Sequence, residues 1–184
     1  MIIIFIGPPS SGKGTQAKLL GKELNLPVFS MGALIREGYK NGDSKAIEGF
    51  KEYSMKGLNL PNSLKFHLLK ERLDHSENGF ILDDYPATWE DLETFNNYLS
   101  KKTLRIDKVF SITVSAKEMN MRLATRGRPD DNPEILAKRR EMQDKDKIPV
   151  IEYFKQNNML TEIDGEMTID EVSQEIKDTL NDQN

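Results

Sequence analysis

The chain has 184 residues, long enough for one domain to bury a core without covalent staples. It contains no cysteine, which excludes disulfides and thiolate metal sites, and no apolar run near the roughly 20 residues of a bilayer span. A net charge of −4 argues against a general nucleic-acid binder, although five of the eight arginines fall between Arg122 and Arg140. A monomer in the cytoplasm is expected, with no nucleic-acid or membrane partner.

The first element predicted is a strand over 1–6, because Ile2 to Ile6 is short, β-branched and not alternating, as a central parallel strand buried on both faces requires. It breaks into Gly7-Pro-Pro-Ser10-Ser11-Gly12-Lys13-Gly14-Thr15 just before a helix predicted over 13–25. Small residues let consecutive amides of such a loop turn inward, and the helix aims its positive dipole end at the same concavity. A polyphosphate is the guest this loop suits. Lys13 would neutralise charge between the outer phosphates, and Thr15 would reach a phosphate oxygen or a metal's water. The position after Lys13 is Gly14, so the hydroxyl comes one residue later than in the commonest form of the motif.

A short strand over 27–29 leads to helices predicted over 31–40, 43–57 and 61–74, with Pro61 where a helix can begin. No strand intervenes, so this segment is expected to project over the site as a cap. His67 and His75 lack metal-ligand spacing and are read as surface residues. The strand predicted over 79–83 ends in Asp83-Asp84-Tyr85-Pro86. A carboxylate at the carboxyl end of such a strand, beside bound phosphates, suits a magnesium ion held through water, and Asp83 is that candidate. A helix over 88–101 follows, with Trp89 read as a packing residue, and then a strand over 107–114.

The helix over 116–126 carries Arg122 and Arg126 one turn apart, and Arg128 follows across Gly127. Asp130 and Asp131 are read as restraints on Arg128 or on the hinge beside it, and Asn132-Pro133 opens a helix over 133–147 that carries Arg139. Permanently charged planar donors suit phosphates on both sides of a transferring phosphoryl group, and Gly127 offers a hinge, so the segment reads as a mobile lid. Pro149 is taken to start a further helix over 149–157, before a strand over 159–163 and a helix over 167–181. Strands alternating with helices make an open α/β fold, with ligands at the carboxyl ends of the strands.

Together these stretches resemble the adenylate kinase and nucleoside monophosphate kinase family across essentially the whole chain. The matching residues are the loop from Gly7 through Ala17, Ser30-Met-Gly-Ala-Leu-Ile-Arg36, Gly57-Leu-Asn-Leu-Pro61, Gly79 through Pro86, Arg122 through Asn132, Arg139, Pro149-Val-Ile and Asp164-Gly165. The resemblance implies a doubly wound, five-stranded parallel P-loop core (1–30, 75–122 and 134–184), a cap for the monophosphate (31–74) and a short lid (123–133). It implies transfer of the γ-phosphoryl of MgATP to a nucleoside monophosphate, with ATP and AMP as partners. Gly12, Lys13, Gly14 and Thr15 match its donor loop, and Arg122 matches the arginine over the donor adenine. Arg126, Arg128 and Arg139 match lid arginines that grip phosphates, and Arg36 matches an acceptor-phosphate arginine.

The acceptor half departs from the family pattern. Met31-Gly-Ala33 stands where Thr-Gly-Asp is usual, and Asp83-Asp84-Tyr85-Pro86-Ala87 where Asp-Gly-Phe-Pro-Arg is usual. Asp91 aligns with the family's base-reading glutamine. Met31, Arg36, Asp84 and Asp91 are therefore the expected acceptor contacts, and the added carboxylates and missing arginine disfavour an ordinary monophosphate. Two alternatives follow from these departures: a P-loop kinase with an acceptor other than AMP, and a nucleotide-binding module with vestigial activity.

Overall fold

The structure, a computed structural model, describes residues 1–127 and 132–181, with Arg126, Pro133, Arg139, Gln143 and Asp144 described by their backbone alone. Its centre is β1 (Ile2–Ile6), every residue of which is buried. Parallel neighbours explain that burial: β3 (Phe80–Asp83) pairs on one side, with Ile4 opposite Leu82, and β4 (Lys108–Thr113) on the other, with Ile4 opposite Val109. β2 (Val28–Ser30) joins β3, and β5 (Leu160–Asp164) joins β4. The result is one parallel five-stranded sheet in the order β2-β3-β1-β4-β5.

Alternate residues of β1 serve opposite faces. Ile2, Ile4 and Ile6 join Phe80, Leu82, Phe95 and Phe154 in one core, under α4 (Asn62–Asp74), α5 (Trp89–Lys101) and α7 (Pro133–Gln156). Ile3 and Phe5 join Ala17, Leu20, Phe110, Ile163, Val172 and Ile176 in the other, under α1 (Lys13–Leu24) and α8 (Ile169–Asn181). The chain leaves β1 toward β2 on one side and later reaches β4 on the other. The strand order therefore reverses at the end of β1, where a crevice opens for ligands.

Between β2 and β3 run α2 (Met31–Lys40), α3 (Ser44–Glu48) and α4, without a strand. The helix expected over 43–57 is regular only in α3, then widens into a π turn over Gly49–Tyr53 and tightens to a 3-10 turn over Ser54–Lys56. Tertiary packing overrides the local pattern here. A Cβ on Gly49 would be 3.1 Å from side-chain atoms of Ile35, Leu60 and Leu64, and Phe50 packs on Tyr39 in a tilted pair with ring centroids 4.5 Å apart.

α6 (Ala116–Arg126) precedes α7, and α7 corrects the expectation of two helices divided at Pro149. Pro149 sits inside one 24-residue helix. Proline removes one amide and leaves the carbonyl four residues earlier without its donor. Lys145, Ile148 and Pro149 are exposed, so water reaches that side of the helix, while Val150 and Phe154 are buried and hold the next turns against the sheet.

Candidate active site

The loop between β1 and α1 takes three left-handed positions, Gly7 (φ 149°), Ser10 (φ 59°) and Gly12 (φ 98°). Gly7 has no space for a side chain, because a Cβ there would run into the Ile112 carbonyl oxygen. Gly12 is the N-cap of α1 and supplies no side-chain cap, so the dipole end of the helix opens onto the loop. The Ser10 and Ser11 hydroxyls are buried with no hydrogen-bond partner among the described residues, and Thr15 is exposed on the first turn of α1. Lys13 folds back over the loop, its ammonium donating to the Pro8 carbonyl at 3.1 Å.

Asp83 ends β3 directly beside this loop. A Cβ on Gly14 would stand 3.0 Å from Asp83 Oδ2, so a glycine after Lys13 permits the close approach of α1 to the carboxylate. Burial pushes the Asp83 carboxyl above its ordinary range, against the opposing pull of the Lys13 ammonium, and the Ser30 hydroxyl donates a hydrogen bond to it. Its Oδ1 has no hydrogen-bond partner among the described residues. No group of three or more carboxylate or histidine ligands that could hold a metal occurs among the described residues. One buried carboxylate with an unused oxygen fits magnesium, which keeps its waters and takes the rest of its shell from phosphates.

Arg122, from α6, reaches the far side of the loop. It pairs with Glu118 at 2.6 Å and donates to the carbonyls of Ser11 at 3.4 Å and Gly165 at 2.8 Å. Gly165 follows β5, and a Cβ there would be 2.8 Å from the Ser11 carbonyl oxygen and 2.6 Å from Ile112 Cγ2. The loop is thus clamped between α6 and the end of β5.

A cleft runs from Lys13 and Asp83 to the segment after β2 and is lined by Met31, Arg36, Lys65, Asp84 and Ala87. Arg36 packs its guanidinium over Gly32, where a Cβ would be 3.1 Å from Nη1. The sequence leads one to expect an open negative charge at Asp84; the structure corrects this, because a cation neutralises it. Its carboxylate is 2.6 Å from the Lys147 ammonium, which also donates to the Gly7 carbonyl at 3.4 Å. Burial alone would raise Asp84, yet the nearby ammonium groups of Lys147 and Lys13 hold its carboxyl well below the usual range.

Asp91 also needs correcting as a base contact, since its side chain is fully enclosed. Thr88 and Asp91 form a capping box at the start of α5, in which Asp91 Oδ2 accepts from the amides of Ala87 at 3.0 Å and Thr88 at 3.1 Å. The same oxygen pairs with the Lys65 ammonium. A capping signal in the sequence, Thr-x-x-Asp, could have found this role. Lys147 carried no motif of its own. The only signal for it was the extra carboxylate of Asp84, which in a half-enclosed site requires a cation.

Trp89 is 46% exposed and packs edge-on against Tyr153, away from the residues that line the cleft. His67 and His75 are exposed. Arg128, Asp130 and Asp131 lie outside the described residues, as do the side chains of Arg126 and Arg139.

Comparison with known proteins matches the chain to one family. A model of the family described as adenylate kinase matches residues 5–159. The chain is 33% identical over 210 residues to an adenylate kinase of Methanocella arvoryzae, covering 96% of this chain and 97% of the relative. It is 33% identical over 180 residues to one of Leptospira biflexa, covering 95% and 96%, and 34% identical over 174 residues to one of Mycolicibacterium paratuberculosis, covering 94% of each. The chain belongs to the adenylate kinase family. It is an ATP-dependent phosphotransferase of the nucleoside monophosphate kinase type. The loop from Gly7 to Thr15 keeps the glycines and lysine of the motif, whereas the cleft beside it carries two buried or half-buried ion pairs, Lys147–Asp84 and Lys65–Asp91.

Proposed function

We propose that the protein catalyses ATP + AMP = 2 ADP, binding ATP on the loop from Gly7 to Thr15 and AMP in the cleft under α2 and α4. The observation that carries this reading is the convergence of Lys13, Asp83 and Arg36 on one continuous cleft, which lets a donor and an acceptor phosphate meet. The acceptor is itself a phosphate oxygen, so no protein base is needed. Catalysis consists of alignment and of charge stabilisation by donors already in place.

Lys13 would follow the charge that develops between the two phosphates, and Arg36 would hold the acceptor phosphate through paired N–H groups. Ser10, Ser11, Gly12, Gly14 and Thr15 would surround the donor phosphates, with Arg122 fixing the loop from behind. Asp83 would hold a water of Mg2+, which when bound neutralises phosphate charge. Arg126, Arg128 and Arg139 complete the proposal as lid cations. No helix among the described residues is long and apolar enough to cross a membrane.

The test is a coupled assay of ADP formation from ATP and AMP, run beside other nucleoside monophosphates. ADP should form from AMP, and Lys13→Ala should lower kcat by orders of magnitude with the circular dichroism spectrum unchanged. Turnover confined to another monophosphate would move the acceptor assignment. Full activity in the Lys13 variant would remove that residue from the mechanism.

A further inference from the structure

Lys65 is a lysine that the reaction described so far does not use. It projects from α4, is only 5% exposed, and lines the cleft beside Ala87 and Arg36. Its ammonium pairs with Asp91 Oδ2, the oxygen that also accepts from the Ala87 amide. One shared atom therefore places the Lys65 cation beside the backbone of residue 87, where the chain carries a methyl group in place of a long side chain. The Asp91 charge is already spread over two amide donors, and an ammonium has three N–H groups of which this carboxylate occupies one.

We propose that Lys65 is an acceptor-binding residue, the second cation on the acceptor phosphate, facing Arg36 across it. This deepens the functional reading above and rests on it. Asp91 acts through Lys65 as a positioning residue, anchoring the ammonium at the start of α5. A monoester dianion then meets a planar guanidinium from α2 and a point charge from α4, both carried by the segment that covers the cleft. Lys147 is not available for this task, because Asp84 and the Gly7 carbonyl hold it.

The experiment is a cycle of Lys65→Met, Ala87→Arg and both together, with KM for AMP and for ATP measured separately alongside Tm. Lys65→Met should raise KM for AMP by about tenfold or more while KM for ATP changes by less than about twofold. Ala87→Arg should restore AMP binding in the Lys65→Met background and give no gain when Lys65 is present, because the two cations compete for one anion. If Lys65→Met does not fold with Asp91 unpaired, Lys65→Met with Asp91→Asn removes both charges and the same KM readings apply. An AMP KM indifferent to Lys65 overturns the inference. So does an equal rise for ATP, or an equal gain from Ala87→Arg in both backgrounds. A purely structural pair would move Tm and leave KM for AMP in place, which also overturns it. No turnover of AMP by the wild-type protein would overturn the functional reading and this inference with it, whereas turnover insensitive to Lys65 overturns the inference alone.

Discussion

The Lys147 ammonium, on α7, lies 2.6 Å from Asp84 Oδ1 and 3.4 Å from the Gly7 carbonyl oxygen, so one side chain ties the phosphate loop to the end of β3. The Lys147 side chain is 9% exposed and that of Asp84 27%. Removing one partner leaves a poorly solvated charge, which costs far more than the net worth of the pair. Lys147→Met should therefore destabilise the protein by about 3 kcal/mol in urea unfolding, and adding Asp84→Asn should recover most of that loss. Additive losses would show that the two charges are solvated independently.

Gly165 gives a second prediction, through the loop rather than through charge. A methyl group there would overlap Ile112 Cγ2 and crowd the carbonyls of Ser11 and Thr113, at 2.6, 2.8 and 2.9 Å from its Cβ. Two of those three atoms are backbone, so relief requires the phosphate loop or β4 to move. Gly165→Ala should lower Tm and raise KM for ATP, with KM for AMP less affected. An unchanged KM for ATP would mean that the end of β5 moves and the loop stays.

The geometry of the loop between β1 and α1 was legible in the sequence because its requirements are local. A strand, a glycine-framed turn, Lys13 and a helix start lie within one continuous stretch, and Asp83 sits where a strand ends. The charge balance of the cleft was not, because its carboxylates pair with residues far away in the chain. Asp84 reads as added repulsion in the sequence, whereas its counter-charge, Lys147, lies 63 residues later, and Asp91 reads as a ligand contact although it closes a capping box on Thr88 and pairs with Lys65. Pro149, inside α7, is a different case. A proline inside a helix reads as a boundary unless the exposure of the neighbouring turn is known, and exposure is a tertiary property.

A third prediction concerns pH. Asp74, at the end of α4, takes hydrogen bonds from Lys102 and Lys70 at 2.6 Å each and from the Tyr98 hydroxyl at 3.0 Å, and these hold its carboxyl well below the usual range. A carboxyl with a depressed folded pKa adds stability that is present above its unfolded value, near 3.8, and is lost as pH falls through the folded one. Asp74→Asn should thus lower Tm at neutral pH, and the gap to wild type should close only in acid below that value. Added salt should narrow the gap at neutral pH, since Lys70 and Lys102 are exposed. A gap unaffected by acid would assign the effect to packing around Tyr98.

Asp83 carries the last prediction, because its environment sets function against stability. Burial raises its carboxyl despite the Lys13 ammonium, so the ionised form that would hold a magnesium water is disfavoured in the ligand-free protein. A carboxyl raised on folding binds its proton more tightly in the native state, so native stability declines as pH climbs from the unfolded value, near 3.8, through the folded one. Asp83→Asn keeps the shape and removes the charge. At pH 7 it should raise Tm of the ligand-free protein, and the gain should vanish as pH falls below the ordinary carboxylate range. The same variant should lose most of its kcat in the coupled assay and lose its response to added Mg2+. A lower Tm at pH 7 would mean that attraction between Lys13 and Asp83 outweighs the desolvation of the carboxylate. The pair would then be holding the loop against β3 before any nucleotide binds.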